Sequence, residues 1–292
     1  MMFEAFTRGT FDSAGVGIAF WTAGSGPPLL LIHGYPQTHV MWHRIAGALA
    51  EHFTVVAPDL RGYGDSAKPA GDPDHANYSK RTMAADFVAL MARLGHVRFA
   101  VAGHDRGGRV AYRMALDHPA VVNRVAVVDI VPTRALYDAT DRVIADAYFH
   151  WFMLTKPAPI PEALIGGAPG VWLDMCFGGW AGTAGAFTPE ARAEYARGFA
   201  TPAGIHATCE DYRAGASVDY EHDAASVAAG AKITAPLLVL WGEAGLVGRR
   251  FDPLAVWCDY AADVRGRALP CGHFLPEEAP AETLAALLDF FG

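Results

Sequence analysis

Short uninterrupted apolar runs alternate along this chain with longer stretches in which apolar residues recur at helical spacing. PLLLI (28–32), TVVAPDL (54–60), FAVAGHD (99–105), VAVVDI (125–130) and PLLVLWG (236–242) have the pattern of strands buried on both faces. VMWHRIAGALAEHF, TMAADFVALMARLG and GGRVAYRMALDHP carry the helical spacing, and ETLAALLDFF predicts a closing amphipathic helix. Strands alternating with helices predict an α/β fold: a mostly parallel central sheet with helices on both faces. The N-terminal segment, with GVGIAFWTAGSGPP, predicts an antiparallel hairpin at one sheet edge, and RGRALP (265–270) predicts a last strand.

The rhythm breaks between about Thr133 and Tyr220, where no buried-strand pattern appears and KPAPIP, GGAPGVW and FGGWAGTAG bring Pro, Gly and aromatics. That is long for a strand-to-helix connection, so residues 134–220 are expected to form an inserted helical cap on a core made of 1–133 and 221–292.

Composition narrows the function classes. With 52% hydrophobic and 18% charged residues, a packed globular core is expected rather than disorder. A net charge of −8 without a basic tract argues against nucleic acid or an anionic membrane as partner. No apolar run approaches the roughly 20 residues that span a bilayer, and the first residues lack the apolar stretch of a secretory signal. The four cysteines show no C-x-x-C spacing, which predicts reduced, mostly buried thiols and a cytoplasmic setting. No metal-ligand spacing and no Walker pattern is present, so neither metal nor organic cofactor is expected.

The chemistry concentrates in GHDRGGR (103–109). After the strand FAVAG, glycines around Asp105 point to a strand-to-helix elbow that lifts the Asp105 side chain above the carboxyl ends of the sheet. The ordinary alternative is an Asp N-cap for the following helix; Gly103, Gly107 and Gly108 favour the elbow, because a tight turn needs residues without a Cβ. His273, in CGHF after the last predicted strand, falls where the base of such a constellation lies in chain order. For the orienting acid two candidates stand. Glu243 follows LVLWG too early, with Gly245 where an acid is expected; Asp129 ends an apolar run, where a carboxylate is costly unless paired. Asp129 is preferred, as a buried acid beside an imidazole fits the orienting role.

HGYP (33–36), DLRGYGDS (59–66), GHDRGGR and CGHF together resemble the α/β-hydrolase fold over essentially the whole chain. With Asp at the elbow, the resemblance narrows to haloalkane dehalogenases, epoxide hydrolases and fluoroacetate or haloacetate dehalogenases. The Asp105-Arg106-x-x-Arg109 array, YSKR (78–81) and His150-Trp151 are most similar to the last. A carboxylate nucleophile attacks an sp³ carbon and leaves an ester on the enzyme, and water activated by His273 then hydrolyses that ester. The backbone N–H groups of Tyr35 and Arg106 are the natural oxyanion-hole donors.

Arg106 and Arg109 fit a substrate carboxylate; salt bridges to Asp129 or Asp86 are their ordinary alternative. The resemblance further implies halide donors His150, Trp151 and Tyr212, Trp180 as a pocket wall, a small haloacid as substrate, and a homodimer. Neighbours i and i+1 of a helix diverge, so His150 and Trp151 require an irregular turn or a pocket between them. Two rival functions follow: an epoxide hydrolase, for which Tyr148, Tyr195 and Tyr212 are available to protonate the oxygen, and a non-catalytic ligand receptor with this fold. The receptor ranks lower, since nucleophile, base and acid are all present.

Overall fold

A computed structural model describes residues 2–292. Eight strands form one sheet: β1 (Thr7–Ser13), β2 (Val16–Ala23), β3 (Pro28–Ile32), β4 (Thr54–Pro58), β5 (Phe99–His104), β6 (Val122–Val128), β7 (Leu237–Gly242) and β8 (Val264–Leu269). Their order is β1-β2-β4-β3-β5-β6-β7-β8. β1 with β2 and β2 with β4 pair antiparallel, and every other pair is parallel. The predicted edge hairpin is β1–β2. Leu29–Ile32 and Val125–Val128 are fully buried, as the apolar runs of a sheet covered on both faces require.

Two predicted elements differ in outline. The helical pattern at 40–53 is broken into a 3₁₀ turn, His39–Trp42, and a short helix, Ala46–Ala50. The reason is tertiary: both the backbone N–H and Nδ1 of His39 are held 2.8 Å from Asp59 Oδ1, a tie across the sheet that no local pattern records. The run VAVVDI begins its strand earlier, at Val122, and ends it at Val128; Asp129 adopts φ 54°, turning the chain out of the sheet.

Between β6 and β7 the described chain is helical, ending with helix Val218–Ala228, which runs past position 220. The prolines there open helices. Pro169, Pro189 and Pro202 stand in first turns, where the missing N–H removes no bond. Thr188 and Thr201 cap two of these helices, accepting from the N–H of Ala191 at 3.1 Å and of Gly204 at 3.0 Å. No described helix is long and apolar enough to cross a membrane.

Candidate active site

Asp105 follows β5 and precedes helix Arg106–Asp117. Its side chain makes no capping bond to that helix, so the N-cap alternative does not hold. Its backbone sits at φ 46°, ψ −117°, a conformation that costs an L-residue on the order of 1–3 kcal/mol and persists only where the surroundings impose it. Here they do. The neighbouring glycines have no positive φ; they serve close approach. A Cβ on Gly107 would overlap the carbonyl oxygens of Ile32 and His33, and one on Gly34 would lie 2.6 Å from the Cβ of Asp105. The strain therefore falls on Asp105 itself, while the glycines allow β3 and the helix to crowd around it.

His273 Nε2 lies 3.9 Å from Asp105 Oδ2, and His273 Nδ1 lies 2.6 Å from Asp129 Oδ2. Asp129 Oδ1 accepts from the Gly242 N–H at 2.9 Å, which fixes the carboxylate at the end of β7. Glu243, the other candidate, is exposed. A Cβ at Gly245 would stand 3.4 Å from both Asp129 oxygens. Position 245 after β7 thus lies beside the carboxylate that holds the imidazole, and in this chain the acid follows β6 instead. Burial works against an imidazolium at His273, but the hydrogen bond and charge of Asp129, with Asp105 adding to them, outweigh it and raise its pKa above the ordinary 6.5.

Helix Arg142–Ala147 breaks at Tyr148, and the five-residue helix Phe149–Met153 follows. His150 and Trp151 both lie within this second helix with no break between them, and the same cavity is lined by both. His150 packs 4.4 Å from Trp180, and Trp151 lies 4.5 Å from the Arg109 guanidinium, measured between ring centres or to Cζ. Tyr212 lies between them, with ring centres 5.6 and 6.0 Å away. Asp105, Arg109, His150, Trp151, Trp180 and His273 line one narrow cavity of about 10 Å³, near the room one water needs. Three of the lining residues carry a buried polar atom without a partner, Asp105 Oδ1, Arg109 Nε and His150 Nδ1; the unpartnered Tyr212 hydroxyl belongs to a residue packed against His150 and Trp151 but not lining the cavity. Burial drives the His150 pKa far down, so its ring is neutral. Tyr35 is fully buried, its ring 5.2 Å from Tyr212, and its hydroxyl accepts from Trp172 Nε1.

The two arginines are not equivalent. Arg109 lines the cavity and donates through Nη1 to the Val131 carbonyl at 3.0 Å and to Thr133 Oγ1 at 3.1 Å. Arg106 is fully buried behind it and binds neither acid considered above. Asp129 is held by His273, and Asp86 by Arg61. Arg106 instead grips Asp211, Nε to Oδ2 at 3.0 Å and Nη2 to Oδ1 at 2.7 Å, leaving Nη1 without a partner. Of the three tyrosines, Tyr148 lines the cavity, Tyr212 has a free hydroxyl, and Tyr195 donates to Glu277 at 2.9 Å.

Residues 27–280 match the family model for the alpha/beta hydrolase fold. The chain is an α/β hydrolase. It is 47% identical over 290 residues to a fluoroacetate dehalogenase from Burkholderia sp., covering 99% of this chain and 95% of that one. It is also 37% identical over 276 residues to a soluble epoxide hydrolase from Corynebacterium sp. (strain C12), covering 92% of each. A crystal structure of a protein from Nostoc sp. PCC 7120, described as an α/β hydrolase, superposes with a TM-score of 0.97 at 55% identity over 99% of both chains.

Three supporting residues of this hydrolase escape a sequence reading. His104, buried beside the elbow, has Nε2 2.8 Å from the carbonyl oxygen of His273. Glu278 accepts from the N–H groups of Gly272 at 2.9 Å, Phe274 at 2.8 Å and Gly182 at 2.7 Å, tying the His273 loop to the helical insertion. Asp211 binds Arg106, accepts the Tyr63 hydroxyl at 2.6 Å and pairs with Lys80 Nζ. Lys80 belongs to YSKR, so its motif was visible while its partner was not.

Proposed function

We propose that this hydrolase removes the halogen from haloacetates, producing glycolate and halide, with residues 134–220 as the cap over its site. One observation carries the reading: an elbow carboxylate, Asp105, and a buried guanidinium, Arg109, face the same small cavity, each with an unpartnered polar atom. A carboxylate suits attack at saturated carbon, and a buried arginine suits a substrate that is itself an anion.

Arg109, with Arg106 Nη1, holds the substrate carboxylate and offsets its repulsion from Asp105. An Asp105 oxygen attacks the carbon bearing halogen; a C–O bond forms as the C–halogen bond breaks, and the electron pair leaves with the halide. His150, Trp151 and Tyr212 surround the leaving halide, in a dry site where donors count for more than in water. His273 Nε2 then takes a proton from water, which attacks the ester carbonyl carbon of Asp105, while Asp129 steadies the imidazolium. The N–H groups of Tyr35 and Arg106 stabilise the oxyanion, and its collapse releases glycolate and restores Asp105.

The deciding measurement is incubation with fluoroacetate, chloroacetate and styrene oxide, followed by assays for halide and diol. Halide from the haloacetates is expected. Diol without halide would sink the reading and favour epoxide opening, which the free Tyr212 hydroxyl and the Corynebacterium relative support as the second reading.

The pH dependence has a definite sign. His273 serves as base only when neutral, so the ester-hydrolysis step, and turnover where that step limits it, falls as pH drops through the pKa of His273, which is raised in the free protein. Esterification of Asp105 removes one of the charges that raise this pKa, so the midpoint of ester hydrolysis lies below that of the free enzyme. Single-turnover kinetics on the isolated ester, compared with a titration of His273 by NMR, check both points. Ester hydrolysis whose rate does not fall on acidification through the titration of His273 would exclude His273 as the base.

A further inference from the structure

The reacting groups are nearly sealed, with Asp105 7% and His273 6% exposed. A second cavity of about 350 Å³ adjoins the inner one, and Tyr148, Trp180 and His273 belong to the walls of both. Apart from the His273 imidazole, the only charged side chain lining this vestibule is Arg249. Arg249 is exposed and lies at the end of the short helix Leu246–Arg250, where its Nε donates to the Gly245 carbonyl at 3.3 Å. It has no ion-pair partner among the described residues, whereas its neighbour Arg250 is taken by Asp141.

We propose that this vestibule is a capture site for a small carboxylate, with Arg249 as the cation that draws the anion in ahead of Arg109. The inference rests on the proposed function for its anionic substrate. A chain of net charge −8 repels a small anion on average, and a recess holding an uncompensated cation and no acid reverses that locally. The order of the two arginines gives the path a direction. Arg249, in contact with water, binds weakly because its charge is screened; Arg109, buried, binds the same carboxylate more strongly. The anion therefore passes inward between Tyr148 and Trp180 rather than stopping at the mouth.

Stopped-flow quenching of tryptophan fluorescence by glycolate reads uptake without turnover, and kcat/KM for chloroacetate reads it with turnover. At about 10 mM ionic strength, where charges act over roughly 30 Å, Arg249→Gln should lower both rates about fivefold, within the range of electrostatic steering. Arg249→Glu should lower them further, Arg249→Lys should restore them, and Arg250→Gln should follow the wild type. In about 1 M salt, where the reach is ~3 Å, the difference should close. An Arg249→Gln protein with the wild-type salt dependence overturns the capture site, as does a loss that persists in high salt. Glycolate uptake that depends on Arg249, without halide release from any haloacetate, keeps the capture site and overturns the dehalogenase reading instead.

Discussion

His273→Ala incubated with fluoroacetate should release about one equivalent of fluoride and then stop, with a carboxymethyl group esterified to Asp105. The two chemical steps place different demands on the site. In the proposed reaction, displacement of fluoride would use the Asp105 carboxylate, Arg109 and the donors around the halide, none of which His273 supplies. Ester hydrolysis needs a base within reach of water, and His273 Nε2, 3.9 Å from Asp105 Oδ2, is the group with room for a bridging water. General-base catalysis contributes typically 10²–10⁴-fold, so hydrolysis slows by about that factor and the ester outlives many turnovers of the wild type.

Intact mass and peptide mapping of the segment containing Asp105 read the adduct. Fluoroacetate is the reagent of choice because Cys258 is a free, exposed thiol, which chloro- or bromoacetate would also alkylate. Asp105→Asn in the same background should abolish the adduct. An unmodified Asp105 in a His273→Ala protein that still releases fluoride would count against a covalent ester. The supporting contacts suggest that His104→Ala gives a milder form of the same defect, because His104 holds the His273 carbonyl while leaving the His273–Asp129 bond in place.

What could be read from the chain follows the range of the interactions concerned. The elbow is local: glycines, one carboxylate and the strand before it lie within a few residues, and their geometry is set by backbone crowding. The strands β3 to β7 were legible for the same reason, since burial on both faces leaves an apolar run. Asp129 was legible because a carboxylate in such a run needs a partner, although His273 lies 144 residues further on. Asp211 was not. In TCEDYRAG it sits beside other polar residues on a helix, and nothing there shows that helix Pro202–Ala216 turns this acid inward onto Arg106, 105 residues away. The break at 40–53 was hidden likewise, because the His39–Asp59 tie comes from the end of another strand.

Asp211→Ala should be the most damaging single substitution outside the reacting groups. Asp211 is fully buried, and its removal leaves Arg106 and Lys80 buried without their shared counter-charge; Asp219, 3.4 Å from Lys80, compensates only one of them. Breaking a buried pair in this way costs about 3–5 kcal/mol, and at roughly 2–4 °C per kcal/mol for a chain of this size class the midpoint of thermal unfolding should drop by about 10 °C. Only strong acid separates this from a general loss of packing, which would persist there, whereas the charge deficit shrinks as Asp211 is protonated. The neighbouring cations outweigh burial and hold the Asp211 carboxyl well below its ordinary 3.8. A depressed pKa contributes stability that is present above the unfolded value and lost only as pH falls through the folded one, so the deficit should stay level through neutral and mildly acidic pH. Replacing the pair by apolar residues, Arg106→Met with Asp211→Leu, removes the unpaired charge and should recover most of the stability, while KM for chloroacetate stays raised because the Nη1 donor is gone. Recovery of both stability and KM would mean that Arg109 alone binds the carboxylate and that Arg106 serves only to hold the insertion against the elbow helix.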